Sequence, residues 1–224
     1  MSTQTFQNAE RVNKGIFSSW EKRTLSWLAP RVPRWINSDH LTTLGFTALL
    51  LTGASYWFAK WDARALLAGI ALLAVNWFGD SLDGTLARFR NAQRPRYGFY
   101  VDHIIDVFGT FFLIGGMALS GLMSPGLAAG LLIVYLMVSI EVYLATYTLG
   151  KFHLSFMKFG PTELRILLAI GNLRLLHNPT VHLAGHQWLL LDCGAVVAIV
   201  GMAGALIWSS IGHGVQLYKL ERIA

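Results

Sequence analysis

Four aspartates carry the chemical signal in this chain: Asp80, Asp83, Asp102 and Asp106, inside a stretch that is otherwise apolar. A charged side chain at the centre of a bilayer-spanning helix costs roughly 2.5–3.5 kcal/mol, so four unpaired ones cost on the order of 10 kcal/mol. The spacing suggests what offsets that cost. Asp80 and Asp83 are three apart and Asp102 and Asp106 four apart, so each pair shares one face of a helix. Two such helices facing each other make an all-oxygen donor set suited to hard divalent cations, Mg²⁺, Mn²⁺ or Ca²⁺. Gly84, Ala87 and Arg88 extend the first stripe, and Gly98 and Gly109 extend the second. Glycines remove side chains where a ligand or backbone must approach. Arg88, at the rim, suits a phosphate clamp. Together these groups fit a reaction at lipid depth between a water-soluble group and a lipid joined through a diphosphate.

The elements that must position these residues are membrane helices. Of 224 residues, 54% are hydrophobic and only 13% charged, half the charged share of a soluble domain. Apolar spans are expected at 41–59, 64–89, 98–121, 127–149, 161–176 and 188–211, the fifth short and weakly apolar. Ser38 is expected as N-cap of the first, and Pro161 as first residue of the fifth. Residues 8–36 interleave Phe17, Trp20, Trp27 and Leu28 with Arg11, Lys14, Lys22 and Arg23. This reads as an amphipathic interfacial helix; the alternative is a disordered tail. No apolar region precedes position 41, so no secretory signal is expected. The expected organisation is an interfacial segment 1–40, a six-helix membrane domain 41–212 and a cytoplasmic tail 213–224. The fold class is all-α integral membrane.

Charge distribution sets the topology. The net charge is +6, and fifteen of the eighteen Lys and Arg fall in the N-terminus, the second-to-third and fourth-to-fifth connections and the C-terminus. Lys60, Arg64 and Arg174 lie on the other side. The positive-inside rule places both termini and the aspartates on the cytoplasmic side, here of a bacterial inner membrane, and requires an even number of spans. The same distribution leaves no reason to expect a nucleic-acid partner. The lone Cys193 excludes an intrachain disulfide.

The pattern Asp80-x2-Asp83-Gly84-x2-Ala87-Arg88 … Gly98-x3-Asp102-x3-Asp106 resembles the signature of the CDP-alcohol phosphotransferase family, class I. One departure lies in the loop, where nine residues (89–97) separate Arg88 from Gly98 and the family usually has eight. The resemblance implies the following roles. Asp80, Asp83, Asp102 and Asp106 hold one or two Mg²⁺ or Mn²⁺ ions, and Asp106 doubles as catalytic base. Gly84, Ala87 and Gly98 make room for the cytidine nucleotide, and Arg88 binds its phosphates. A CDP-linked donor, with CDP-diacylglycerol favoured, would pass its lipid phosphate to an alcohol acceptor with release of CMP.

Two features lean toward CDP-choline or CDP-ethanolamine as donor and diacylglycerol as acceptor: His103 beside Asp102, and Gly160-Pro161-Thr162-Glu163, both similar to segments of the choline and ethanolamine phosphotransferases. A divalent cation transporter is the alternative from another class. Glu163 and Arg165 are candidates for acceptor contact or for an ordinary helix start. Glu141 is a candidate for lining the pocket. Lys151 and Lys158 fit the positive-inside bias or a phosphate-bearing acceptor. His177, His182 and His186 read as a surface loop or a metal site. Small residues in the third span (Gly109, Gly115, Gly116) and the sixth (Gly194, Gly201) permit close packing within the chain or in a homodimer.

Overall fold

The computed structural model describes residues 10–12, 17–153, 160–183 and 185–221. Lys14, Lys158 and Arg222 lie outside the described residues. Helix α1 (Ser18–Leu28) is followed by a short 3-10 turn (Ala29–Arg31). Five long helices come next: α2 (Ser38–Phe58), α3 (Ala65–Phe89), α4 (Pro95–Ser120), α5 (Pro125–Leu149) and, after the shorter α6 (Pro161–His177), α7 (Leu190–Leu220). Strands β1 (Glu10–Val12) and β2 (Lys151–His153) pair in parallel. Strands β3 (Thr180–Leu183) and β4 (His186–Leu189) form a hairpin where a plain loop is expected from the sequence. Its turn includes Gly185 at φ +81°, a conformation that favours glycine.

The five long helices are long and apolar enough to cross a membrane, so the protein is an integral membrane helical protein. Helix α6 is in the expected place, but its 17 residues reach only about 25 Å, and it does not join the five on length and apolarity. The count of six spans is therefore not fixed by the helices themselves. Other bounds shift for physical reasons. Asn37, not Ser38, caps α2: its side chain accepts the His40 N–H, and the His40 imidazole accepts the Asn37 N–H. Pro95 starts α4 earlier than expected because its missing N–H is no loss in a first turn. Helix α7 runs to Leu220, so the first residues of the expected tail continue the last span.

Helix α2 lies between α3 and α4 and packs against both; α6 packs on α3, and α5 on α7. Lipid tails are as apolar as leucine, so close approach rather than water exclusion must hold membrane helices together. Glycine supplies that approach at two crossings. On α2–α3, a Cβ on Gly79 would lie 2.6 Å from the Leu41 carbonyl oxygen, and one on Gly45 3.0 Å from the Asp80 nitrogen. On α2–α4, a Cβ on Gly53 would lie 2.7 Å from the Phe112 carbonyl carbon, and Gly116 backs onto Gly53 itself. Gly109 packs against Leu49, so Gly109 and Gly116 serve packing inside the chain, whereas Gly115, Gly194 and Gly201 face open space.

Near the C-terminal end of α2, Tyr56 donates to Asn172 at 2.5 Å and ties α2 to α6. Asp192, in the first turn of α7, is buried and accepts from the Ser124 N–H (2.7 Å) and hydroxyl (2.5 Å). At the opposite end of the bundle, Leu25 and Ala29 pack with Leu41, Leu82 and Leu86, seating α1 on the start of α2 and the end of α3.

These crossings predict an asymmetry. Gly53→Ala forces a methyl group against backbone and should cost about 1–3 kcal/mol by overpacking. Gly115→Ala meets nothing and should be neutral or slightly stabilising through helix propensity. Thermal unfolding of the two variants in detergent, each against wild type, checks this.

Candidate functional site

The C-terminal half of α3 presents Asp80, Asp83, Gly84, Ala87 and Arg88, and the first half of α4 presents Gly98, Asp102 and Asp106. The last turn of α3 breaks cleanly. The Arg90 N–H bonds to the Leu86 carbonyl, the Ala92 N–H bonds back to Ala87, and Asn91 adopts φ +53°. The loop 89–97 is then tied to the α1–α2 connection. Arg90 donates to the carbonyls of Val32 (2.9 Å), Pro33 (3.0 Å) and Ile36, and Arg94 pairs with Asp39. The loop that is one residue longer than the family pattern is thus anchored at both of its basic corners.

The structure brings the four carboxylates into one electrostatic neighbourhood: Asp106 lies within reach of Asp80, Asp102, Asp83 and Arg165, and Asp83 within reach of Asp80 and Asp102. Their surroundings differ. Asp83 is buried; its carboxylate accepts from the Thr42 hydroxyl at 2.6 Å and from the Gly84 N–H. Asp80 is 39% exposed at its side chain and pairs with Arg165 of α6 at 2.5 Å. The same guanidinium donates from Nε to Asn76 Oδ1 at 2.7 Å, and Asn76 donates in turn to the Gly45 carbonyl at 2.9 Å. One arginine therefore joins α6 to the carboxylate face of α3, while Asn76 joins α3 to α2. Asp106 is exposed. Tyr135 and Tyr143 of α5 lie within its electrostatic reach, and Tyr135 shares hydrogen bonds with Thr110 and Ser139.

The small residues leave room beside this cluster. A Cβ on Gly98 would meet nothing within 4 Å, and one on Gly84 would meet only the Arg88 guanidinium, at 3.4 Å. Arg88 is exposed and its Nη2 donates to Thr85 at 3.1 Å. The arrangement sets an anionic cluster beside glycines with room around them and an exposed cation.

Among the described residues, no group of three His, Cys, Asp or Glu side chains is arranged to hold a metal ion. Two of the four aspartates are instead engaged by Arg165 and Thr42. The donor chemistry still fits a hard divalent cation: four carboxylate side chains on two helices share one field, beside open glycine positions.

Other candidates fall elsewhere. His103 sits 2.5 Å from the Phe99 carbonyl and packs its ring against Phe99 (4.1 Å) and Tyr143 (4.7 Å). Glu163 is buried; it caps its own helix through the Gly160 N–H and accepts the Phe17 N–H, each at 3.0 Å. Glu141 pairs with His213 of α7 at 2.6 Å. His182 and His186 lie on the exposed hairpin, and His177 sits 3.0 Å from the Leu173 carbonyl. Sequence reasoning missed Thr42 and Asn76 as partners of the cluster. A polar residue inside an apolar helix, one turn before Asp80, was the available signal for Asn76.

The family model described as CDP-alcohol phosphatidyltransferase matches residues 35–209. An archaetidylinositol phosphate synthase of Pyrococcus horikoshii is 40% identical over 87 residues, 39% of this chain and 43% of that protein. An archaetidylinositol phosphate synthase of Methanothermobacter thermautotrophicus is 32% identical over 120 residues, 53% of this chain and 56% of that protein. The chain thus spans about half the length of the curated relatives it matches.

Arg165 is the positive charge that offsets Asp80, so Arg165→Met should lower thermal stability. The loss should stay below the about 3–5 kcal/mol of a fully buried pair, because Asp80 is 39% exposed. Added Mg²⁺ or Mn²⁺ should recover more stability in the variant than in wild type, measured by thermal unfolding with and without the ion.

Proposed function

The chain belongs to the CDP-alcohol phosphatidyltransferase family, and on that premise we propose that it transfers a lipid phosphate from a CDP-linked donor to an alcohol, releasing CMP. The observation that carries this reading is the shared field of Asp80, Asp83, Asp102 and Asp106, set beside open Gly84 and Gly98 and bordered by exposed Arg88. An ion-transport site has no use for that glycine floor or rim arginine.

In the proposed mechanism Gly84, Ala87 and Gly98 accommodate the cytidine nucleotide, and Arg88 clamps its phosphates. Asp106 accepts the proton of the attacking hydroxyl. The hydroxyl oxygen bonds to the phosphorus distal to the cytidine as the bond to CMP breaks. Asp80, Asp83, Asp102 and Asp106 would hold one or two Mg²⁺ or Mn²⁺ ions. When bound, such an ion supplies charge neutralisation of the diphosphate and of departing CMP. Thr42 and Arg165 orient Asp83 and Asp80. Holding donor and acceptor in one cleft supplies proximity, and no covalent enzyme intermediate is required.

A lipid donor such as CDP-diacylglycerol and a phosphorylated polyol acceptor are favoured. Both relatives are named as synthases of archaetidylinositol phosphate, and Arg165 places a cation beside the cluster. The aminoalcohol alternative loses support, because Glu163 is engaged in capping and His103 in ring packing. Six spans, with residues 41–212 as the membrane domain, both termini and the cleft facing the cytoplasm, and a homodimer complete the proposal. The positive-inside distribution supports the sidedness, and the open Gly194 and Gly201 on α7 support a second copy.

The test is CMP release by the purified chain in detergent with Mg²⁺. CDP-lipid and CDP-aminoalcohol donors are each paired with inositol phosphate, glycerol 3-phosphate, inositol, serine and diacylglycerol. CMP should appear with a CDP-lipid and a phosphorylated polyol, and Asp106→Asn should lower its rate by about 100-fold or more. CMP from no donor, or an unchanged rate in Asp106→Asn, rejects the enzyme; Mg²⁺ flux in liposomes would replace it with transport.

A further inference from the structure

The interfacial helix α1 does more than lie on the membrane. Glu21, on its first turn, points one carboxylate oxygen at three donors on two other helices. Oε1 accepts from the Trp77 indole N–H at 2.8 Å and the Ser81 hydroxyl at 2.7 Å, both on α3, and from the Thr162 hydroxyl at 3.0 Å on α6. Ser81 is the residue after Asp80, and Thr162 is three residues before Arg165, close to one helical turn. The contact is returned from the other side, since Glu163 of α6 accepts the Phe17 N–H at the start of α1. Trp20 stacks on Trp77 at 6.3 Å and covers the joint. The Asp80–Arg165 ion pair joins α3 to α6, and Glu21 binds the residue next to Asp80 and a residue about one turn before Arg165.

We propose that Glu21 is a positioning residue that pins α3 to α6 and so fixes Asp80 against Arg165. It touches no substrate. An oxygen accepting three hydrogen bonds from two helices sets their relative rotation and height, and a second contact of this kind orients the primary ligand beside it. The requirement is for an acceptor in that place rather than for a net charge: a glutamine side chain offers its amide oxygen to the same three donors.

The kinetic part of this inference rests on the proposed transferase reading; the structural part does not. The experiment compares Glu21→Ala, Glu21→Gln and the near-isosteric Thr162→Val in the purified full chain. It reads CMP release, the donor KM, and backbone hydrogen exchange over 160–166 by mass spectrometry. Glu21→Ala should lower kcat by about 10-fold or more, in the range of lost outer-shell contacts, with donor KM unchanged. Exchange over 160–166 should rise in Glu21→Ala and, less, in Thr162→Val. Glu21→Gln should restore both readouts to near wild type. The inference is overturned by wild-type kcat in Glu21→Ala, by equal impairment of the alanine and glutamine variants, or by unaltered exchange over 160–166. If Glu21→Ala does not fold, Thr162→Val against Glu21→Gln decides in the same way. If wild type releases no CMP from any donor, the transferase reading fails, and the exchange data alone decide whether Glu21 pins the two helices.

Discussion

Carboxylates held at membrane depth cannot rely on bulk water, so each needs a local partner. For Asp80 and Asp83 partners come from other helices. Asp80 takes a guanidinium from α6, and Asp83 takes a hydroxyl from α2. The neutral Asn76 links the same arginine to α3 and, through the Gly45 carbonyl, to α2. Serving the aspartates therefore dictates which helices meet at this end of the bundle. It also explains the close α2–α3 crossing: the Gly45 carbonyl can accept from Asn76 only because Gly45 and Gly79 let the two backbones approach.

The rest of the bundle divides by what it faces. Helices α2, α3 and α6 share polar contacts at both ends of the bundle, Tyr56–Asn172 at one and Arg165–Asp80 at the other. Helices α5 and α7 present apolar side chains outward, Ile140, Leu144, Val197, Val200 and Trp208 among them. Glu141 and His213 pair these two helices with each other. Arg88 is exposed and Gly98 has open space beside it, next to the carboxylate cluster. A site for a water-soluble nucleotide attached to a lipid needs this combination of polar mouth and lipid-facing flanks.

Much of this was legible in the sequence, because the signals are local. The i,i+3 and i,i+4 aspartate stripes, the glycines beside them and Pro161 at the start of α6 are readable without tertiary information. The position of each long helix follows from its apolar run. What stayed hidden is relational. Arg165 and Glu163 read alike as helix-start residues, yet one reaches into the aspartate cluster and the other caps its own helix and holds α1. Glu21 carries no motif; its three donors lie 56 to 141 residues away. Gly53 and Gly116 become meaningful only once α2 is known to lie against α4. The short α6 shows the limit of a hydropathy reading, since its polar residues are spent on contacts inside the bundle.

The central claim is that the aspartates of α3 and α4 act as one divalent-cation site. Mn²⁺ titration of the purified chain, followed by electron paramagnetic resonance, tests it without assuming any substrate. The account predicts that the free-ion signal is depleted by one or two Mn²⁺ per chain, and that joint replacement Asp80→Asn and Asp102→Asn abolishes the depletion in a protein that still unfolds cooperatively. A free-ion signal unchanged by wild-type protein, or equal depletion by the doubly substituted chain, contradicts it.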